Sequence, residues 1–281
     1  MEKSVVYFMV VVMFLSIILT GCSGNKAMSL LNEANENFKN LQSYVKVEYD
    51  VHRINEEYVE TQINFTQFIS EGEHINPNKN KHFVLGYPKI ISDGNGIKNN
   101  KPTLIIERYP LEDTKAKVNE YISPEGDEFG YNLYKDYEVT TDNVKINKND
   151  MFHLLNSVVS GKEQNVAITT YTMGLFNLNV FPEKIMDLTI KETNDEYYIL
   201  QGSVKGSNDE MFLIYEEADV EIWIHKDSKL IAKEIYRNKN GTNEDFIVFE
   251  YINYNQEEIS DEFFKEKTVE EKIEFYKNLF K

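Results

Sequence analysis

From Ile185 onward the chain reads as one hairpin after another. Met186 to Lys191 and Tyr197 to Val204 flank Thr193-Asn194-Asp195. Val220 to His225 turns through Lys226-Asp227-Ser228-Lys229 into Leu230 to Arg237. Asn238-Lys239-Asn240-Gly241 then turns into Phe246 to Tyr254. Consecutive hairpins on tight turns commit a chain to an antiparallel sheet. The same signal stands nearer the start. Val45, Val47, Tyr49 and Val51 alternate with Lys46, Glu48, Asp50 and His52, the period of a strand with one dry and one wet face. Tyr58 to Ser70 reads as its partner, with Ile63, Phe65 and Ile69 on one face. Further strands are expected at His82–Leu85, Pro88–Ile91, Thr103–Arg108, Val118–Ile122, Tyr131–Val139 and Val166–Tyr171, and Met211–Tyr215 is either a strand of its own or one bent strand with Val220–His225.

Three segments switch to helical spacing. Ala27, Leu30, Leu31, Ala34, Phe38 and Leu41 form one amphipathic stripe. Asp150 to Ser160 is a second helix, capped by Asn149 or Asp150 and ended by Gly161. Thr268 to Phe280, with Val269, Ile273, Tyr276 and Phe280, is a third. No fixed-period repeat and no Pro/Gly/Ser-rich linker divides residues 27–281, which are expected to be one domain. The expected architecture is α+β and mainly β: a strongly curved antiparallel sheet, an unclosed barrel, with an N-terminal, an inner and a C-terminal helix.

Aromatic residues are plentiful, with 18 Tyr and 17 Phe against one Trp. Tyr197-Tyr198, Ile222-Trp223-Ile224 and Phe246-Ile247-Val248-Phe249 put apolar groups on both faces of successive strands. A one-sided sheet would carry polar groups on its second face, so the second face is expected to be covered too. The candidate apolar concave face is Val45, Val47, Tyr49, Val51, Ile63, Phe65, Ile222 and Ile224. Packing under the terminal helices is the preferred reading of the second face of the aromatic strands, over a ligand cavity.

The first 22 residues say where the protein works. Lys3 precedes an apolar run from Val5 to Ile18, which closes on Leu19-Thr20-Gly21-Cys22. A basic start, an apolar core and small residues before a cut site are the marks of a secretory signal, residues 1–21. The four closing residues resemble the lipobox of bacterial lipoproteins. That resemblance implies a diacylglyceryl group on the thiol of Cys22, which becomes the new N-terminus and begins a short lipidated tether, residues 22–26. The alternative is an uncleaved anchor, since Val5 to Gly21 is just long enough to span a bilayer. Either way the chain is held at the extracytoplasmic face of the cell membrane. Removing the 21 residues before Cys22 from 281 leaves 260, and with the only cysteine consumed no disulfide supports them.

The net charge of −17 excludes a nucleic-acid partner, whose phosphates demand Lys and Arg. It also opposes adhesion to an anionic membrane by charge, so adhesion falls to the lipid. No nucleophile elbow, P-loop or dinucleotide fingerprint is present, and no catalytic residue, metal ligand or cofactor site is assigned. The five histidines (His52, His74, His82, His153 and His225) are scattered without ligand spacing. Glu216-Glu217 and Glu257-Glu258 lack the pattern of a calcium loop and read as solvated turns.

Taken together, the amphipathic helix ending in Leu41-Gln42-Ser43-Tyr44, the alternating strand after it and the closing segments resemble the LolA/LolB-type lipoprotein-carrier superfamily. Those segments are Val220-Glu221-Ile222-Trp223-Ile224, Phe249-Glu250-Tyr251-Ile252-Asn253-Tyr254-Asn255 and Ile259-Ser260-Asp261-Glu262-Phe263-Phe264. The resemblance implies an unclosed barrel whose concave side is plugged by helices and holds acyl chains or a partner. Among Gram-positive lipoproteins of this architecture are the GerS-type germination proteins, which act through a cell-wall amidase. The expected function is therefore non-enzymatic: an anchored lipoprotein whose sheet binds an envelope protein or an apolar lipid ligand. A GerS-type sporulation or germination accessory is the alternative, and an exposed sheet edge admits a homodimer.

Overall fold

The computed structural model describes residues 26–54, 57–71, 74–75, 79–92, 101–123, 130–140, 146–147, 185–205, 217–238, 246–256 and 259–279. Helix α1 spans residues 26–39. Strands β1 to β8 are Ser43–Ile54, Glu57–Glu71, His74–Ile75, Lys81–Ser92, Leu104–Glu112, Lys115–Ile122, Asn132–Thr140 and Ile146–Asn147. Strands β9 to β13 are Ile185–Thr193, Tyr197–Lys205, Glu217–His225, Ile231–Asn238 and Phe246–Ile252. Helices α2 and α3 are Asp261–Glu266 and Val269–Leu279. The fold is α+β and mainly β, and the chain groups into two compact units. The larger comprises residues 39–178 and 241–281, the smaller residues 1–38 and 179–240.

In the larger unit the strand order is β7-β6-β5-β4-β2-β1-β13, with every neighbour antiparallel. Among the described residues β7 ends this path and pairs with β6 alone, so the sheet is not closed into a barrel. A small ladder, β2-β3-β8, lies off the path. The long-range step is β13 lying beside β1, with Val45 opposite Ile252 and Val47 opposite Glu250. Asn255 secures that junction. It adopts a left-handed φ of 51°, which asparagine tolerates better than most residues. Its side-chain oxygen accepts from the Gln42 backbone N–H at 2.7 Å, and its own N–H donates to the Ser43 carbonyl at 2.8 Å.

Two local expectations are corrected, and one element appears that the spacing did not announce. His82–Leu85 and Pro88–Ile91 are one strand, β4, in which Gly86 pairs with Leu104. A Cβ on Gly86 would approach the Leu104 Cβ to 3.0 Å, so the strands meet closely where the side chain is missing. Strand β5 runs on through Pro110 to Glu112, because a register shift beside Pro110 accommodates a residue that cannot donate to the ladder. Finally, Ser260 to Phe264 opens a short helix. The Ser260 hydroxyl accepts from the Phe263 N–H at 3.2 Å, and Asp261 and Glu262 occupy the first turn, as a helix N-terminus favours. Helix α3 opens on a capping box: the Thr268 hydroxyl accepts from the Glu271 N–H at 3.2 Å, and the Glu271 carboxylate accepts from the Thr268 N–H at 2.8 Å.

In the smaller unit the order is β12-β11-β10-β9, antiparallel throughout and open. Strand β11 alternates strictly: Ala218, Val220, Ile222 and Ile224 are buried and their neighbours half-buried. Gly202 of β10 has no room for a side chain, since a Cβ would meet Ile185 Cγ2 at 2.5 Å and the Met186 carbonyl at 2.9 Å. Helix α1 buries Ala27, Leu30, Leu31, Ala34 and Phe38, the stripe expected from their spacing. Its Asn37 amide donates to the Lys229 carbonyl at 3.4 Å, in the β11–β12 turn.

Residues 1–25, which include the signal and Cys22, lie outside the described residues. So do the expected inner helix at Asp150–Ser160 and the expected strands at Val166–Tyr171 and Met211–Tyr215.

Candidate functional site

Five of the eight candidate face residues come together in the larger unit. Val45, Val47 and Tyr49 of β1 stand beside Ile63 and Phe65 of β2, because the register sets Val47 opposite Phe65 and Tyr49 opposite Ile63. The row continues through Phe83 and Leu85 of β4 to Ile105 and Tyr109 of β5. Val51 belongs to β1, but its side chain lies outside the described residues. Ile222 and Ile224 are fully buried in the smaller unit, on the face that also carries Leu200 and Val220.

The five-residue face is covered by the protein's own helices. Ile259, Phe264, Ile273 and Tyr276 pack into it as one apolar cluster. The Tyr276 ring stacks on Phe83 with centroids 4.2 Å apart and planes 9° from parallel, and it meets Phe65 at 5.0 Å. Phe264 stacks on Tyr109 at 5.2 Å. Burial pushes the Tyr276 phenol well above its ordinary range, with the Glu107 charge adding to the effect. This surface is a core.

The cover is also pinned by polar contacts. Glu107, between Ile105 and Tyr109 on β5, is completely buried, and its carboxylate meets the Lys272 ammonium of α3 at 2.7 Å. Lys272 also donates to the Phe264 carbonyl at 2.7 Å. The other carboxylate oxygen of Glu107 accepts from Asn119 Nδ2 at 2.8 Å and from the Tyr121 hydroxyl at 2.9 Å. Burial first, and then that carboxylate, raise the Tyr121 phenol out of its ordinary range. Lys81, buried on β4, meets the Asp261 carboxylate at 2.9 Å and donates to the Ile259 carbonyl. The Gln67 side-chain oxygen accepts from the Ile259 N–H at 3.2 Å. Buried charges persist where they are paired and hydrogen-bonded, and here each pairing ties a strand to the helical cover.

The opposite face of β1 and its neighbours is buried as well. Tyr44 stacks on Phe68 at 4.7 Å. Lys46, 1% exposed, reaches Glu48 at 3.0 Å and lies over the Phe249 ring at 5.2 Å. His82 shares a 3.1 Å hydrogen bond with the Thr66 hydroxyl, and burial, then Arg108 and Lys46, hold its pKa well below the usual histidine value. In the smaller unit, burial raises the Glu221 carboxyl, but hydrogen bonds from Lys191 and Trp223 outweigh it and leave the pKa lowered.

Sequence reasoning missed Glu107, Asn119, Tyr121, Lys81 and Lys272. One signal was available. Val269, Lys272, Ile273 and Tyr276 are spaced as one helical stripe, so a lysine sits among the residues that must face inward. Among the described residues no group of three or more His, Cys, Asp or Glu is placed to hold a metal, and no helix is long and apolar enough to cross a membrane.

Open antiparallel sheets, one of them with its apolar face filled by helices of the same chain, define the class: an α+β, mainly β protein. No family model matches the chain, and no curated protein matches it in sequence. Its structural neighbours include the lipoprotein LppX of Mycobacterium tuberculosis, at 10% identity and a TM-score of 0.43, covering 85% of this chain and 100% of that one. LprF of Mycobacterium bovis is 10% identical with a TM-score of 0.41, covering 83% and 95%. A LolA superfamily protein of Nitrosomonas europaea is 12% identical with a TM-score of 0.26, covering 85% and 96%. Likeness at these levels carries no argument about ligand or activity, which are argued below from this chain's own residues.

Proposed function

We propose that this chain is a non-enzymatic lipoprotein, held at the extracytoplasmic face of the cell membrane by a diacylglyceryl group on Cys22, whose sheet engages a partner. The observation that carries this reading is the filled face of the larger unit. Its buried carboxylate is committed to Lys272, Asn119 and Tyr121 and not to a cleft, so it serves packing. With that apolar surface occupied by α2 and α3, an envelope protein at the outer surface is favoured as partner over an acyl chain in the sheet.

Native mass spectrometry of the mature chain, released gently from its own envelope, tests the reading. A mass matching a second envelope protein supports it, and a cell-wall amidase in that position would make the role one of the GerS kind. An added mass of lipid size instead requires α2 and α3 to move and turns the protein into a carrier or sensor. A bare protein mass under every mild condition counts against a binding role. Cys22→Ser is expected to lose the diacylglyceryl mass and the membrane fraction together; retention of both refutes the anchor.

A further inference from the structure

We infer that the buried Glu107–Lys272 pair is a seating device: it selects the one rotation and register of α3 on the sheet, which apolar contacts alone leave open. The inference goes beyond the binding role proposed above and does not depend on it. Ile273 and Tyr276 of α3 are buried in the apolar cluster, and Val269, Phe275 and Leu279 adjoin it, partly buried. At about 100° per residue, the arc from Phe275 through Leu279, Tyr276 and Val269 to Ile273 is roughly 160° wide. Apolar contact is non-directional, so an arc that wide accepts a helix that is turned or slid. Sliding α3 by about one turn sets Phe275, Tyr276 and Leu279 where Lys272, Ile273 and Tyr276 stand, and loses little apolar contact.

Lys272 is the one charged residue of α3 inside that arc, close to its middle. Its side chain is 2% exposed and that of Glu107 is 0%. The carboxylate is placed by the sheet and not by the helix. Asn119 and Tyr121 of β6 hold one oxygen, at 2.8 and 2.9 Å, and leave the other for Lys272 at 2.7 Å. Lys272 also donates to the Phe264 carbonyl at 2.7 Å, so one ammonium fixes α3 against β5 and against α2. Among the described residues no second carboxylate meets Lys272. Any other seating therefore buries two charges apart, which costs far more than the apolar contact it rearranges. Buried ion pairs are commonly no more stable than apolar residues of similar volume, so the pair is not needed to hold the helix down. What it adds is the choice of seat, and with it one fixed place for Glu270, Glu271 and Glu274 on the exposed side of α3.

The test compares the full mature chain with Glu107→Gln/Lys272→Met, which keeps the hydrogen bonds from Asn119 and Tyr121 and removes both charges. Nuclear magnetic resonance of the parent is expected to show one set of signals and a direct contact between the Phe83 and Tyr276 rings. The double variant is expected to unfold in one transition with α3 still helical. Its Tyr276 signals are expected to split or broaden, and the contact with Phe83 to weaken. Amide exchange over residues 269–279 is expected to quicken by about tenfold or more while β2 and β4 keep the parent rate. Glu107→Leu/Lys272→Leu, with a wholly apolar contact, is expected to melt at least as high as the Gln/Met chain and to show the same split signals. Removing the exposed pair by Lys117→Met/Asp136→Asn is expected to leave exchange over residues 269–279 unchanged. One set of signals with parental exchange in both charge-free chains overturns the inference. So does a failure of both to fold, which makes the pair a stability element, and so does faster exchange over residues 269–279 in the Lys117→Met/Asp136→Asn chain.

Discussion

Replacing Lys272 by Met removes the cation that compensates a buried carboxylate. Lys272 and Glu107 expose 2% and 0% of their side chains, so solvent screens neither, and their 2.7 Å contact is fully desolvated. Breaking such a pair from one side costs about 3–5 kcal/mol, because the remaining charge keeps its desolvation penalty and loses its partner. The Phe264 carbonyl loses a donor at the same time. For a chain of this size each kcal/mol shifts Tm by ~2–4 °C, so calorimetry is expected to show a fall of about 6–20 °C. Glu107→Gln combined with Lys272→Met separates charge from packing. The glutamine oxygen still accepts from Asn119 and Tyr121, and no buried charge is left, so the double variant is expected to recover about half of the loss or more. Two results refute the reasoning: a single variant within ~2 °C of the parent, or a double variant that falls by the sum of the two singles.

Gly202→Ala is expected to lower stability by about 1–3 kcal/mol, since its Cβ would overlap Ile185 Cγ2; denaturant unfolding checks it. Thr268→Ala removes the hydroxyl that caps α3 and is expected to cost about 0.5–2 kcal/mol, read as faster amide exchange along residues 269–279. His82 is held neutral by burial, so the unfolded chain binds its proton more readily. Stability is therefore expected to fall as pH drops below about 6.5, the ordinary histidine value, and to keep falling until the lowered folded pKa is reached. In His82→Gln the dependence of Tm on pH through that window should be shallower; an unchanged slope places the proton uptake elsewhere.

The strands were legible wherever one face is dry and the other wet. Val45, Val47 and Tyr49 announce β1, and Val220, Ile222 and Ile224 announce β11, because period-two burial is local information. Prolines misled. Pro88 looked like a strand end and lies within β4, and Pro110 sits in β5 beside a register shift that the sequence does not display. The six residues of α2 are too few for periodicity to show, although Ser260 followed by two acids was a readable start. Partner choice across distance was not legible. Nothing around Val45 says that β13 will lie beside it, and nothing around Glu107 names Lys272. Val45, Val47, Tyr49, Ile63 and Phe65 lie under α2 and α3, whereas the ion pair that holds the helices there could be suspected only from a lysine in an inward-facing stripe.

The pairing of Glu107 with Lys272 spans 165 residues, and that separation sets an order of events during biogenesis. A nascent chain delivered N-terminus first presents β1, β2, β4 and β5 well before α3 exists. Through that interval Val47, Phe65, Phe83 and the Glu107 carboxylate have no cover, and β1 lacks β13 along one edge. Contacts that close this late are slow to form and leave apolar surface open to aggregation. The protein therefore depends on an escort, or on speed, between the emergence of β5 and the closing of α3. A frameshift or stop that removes α3 alone is expected to act as a maturation defect: the shortened chain is made and then cleared by proteases, with little of it left to assay.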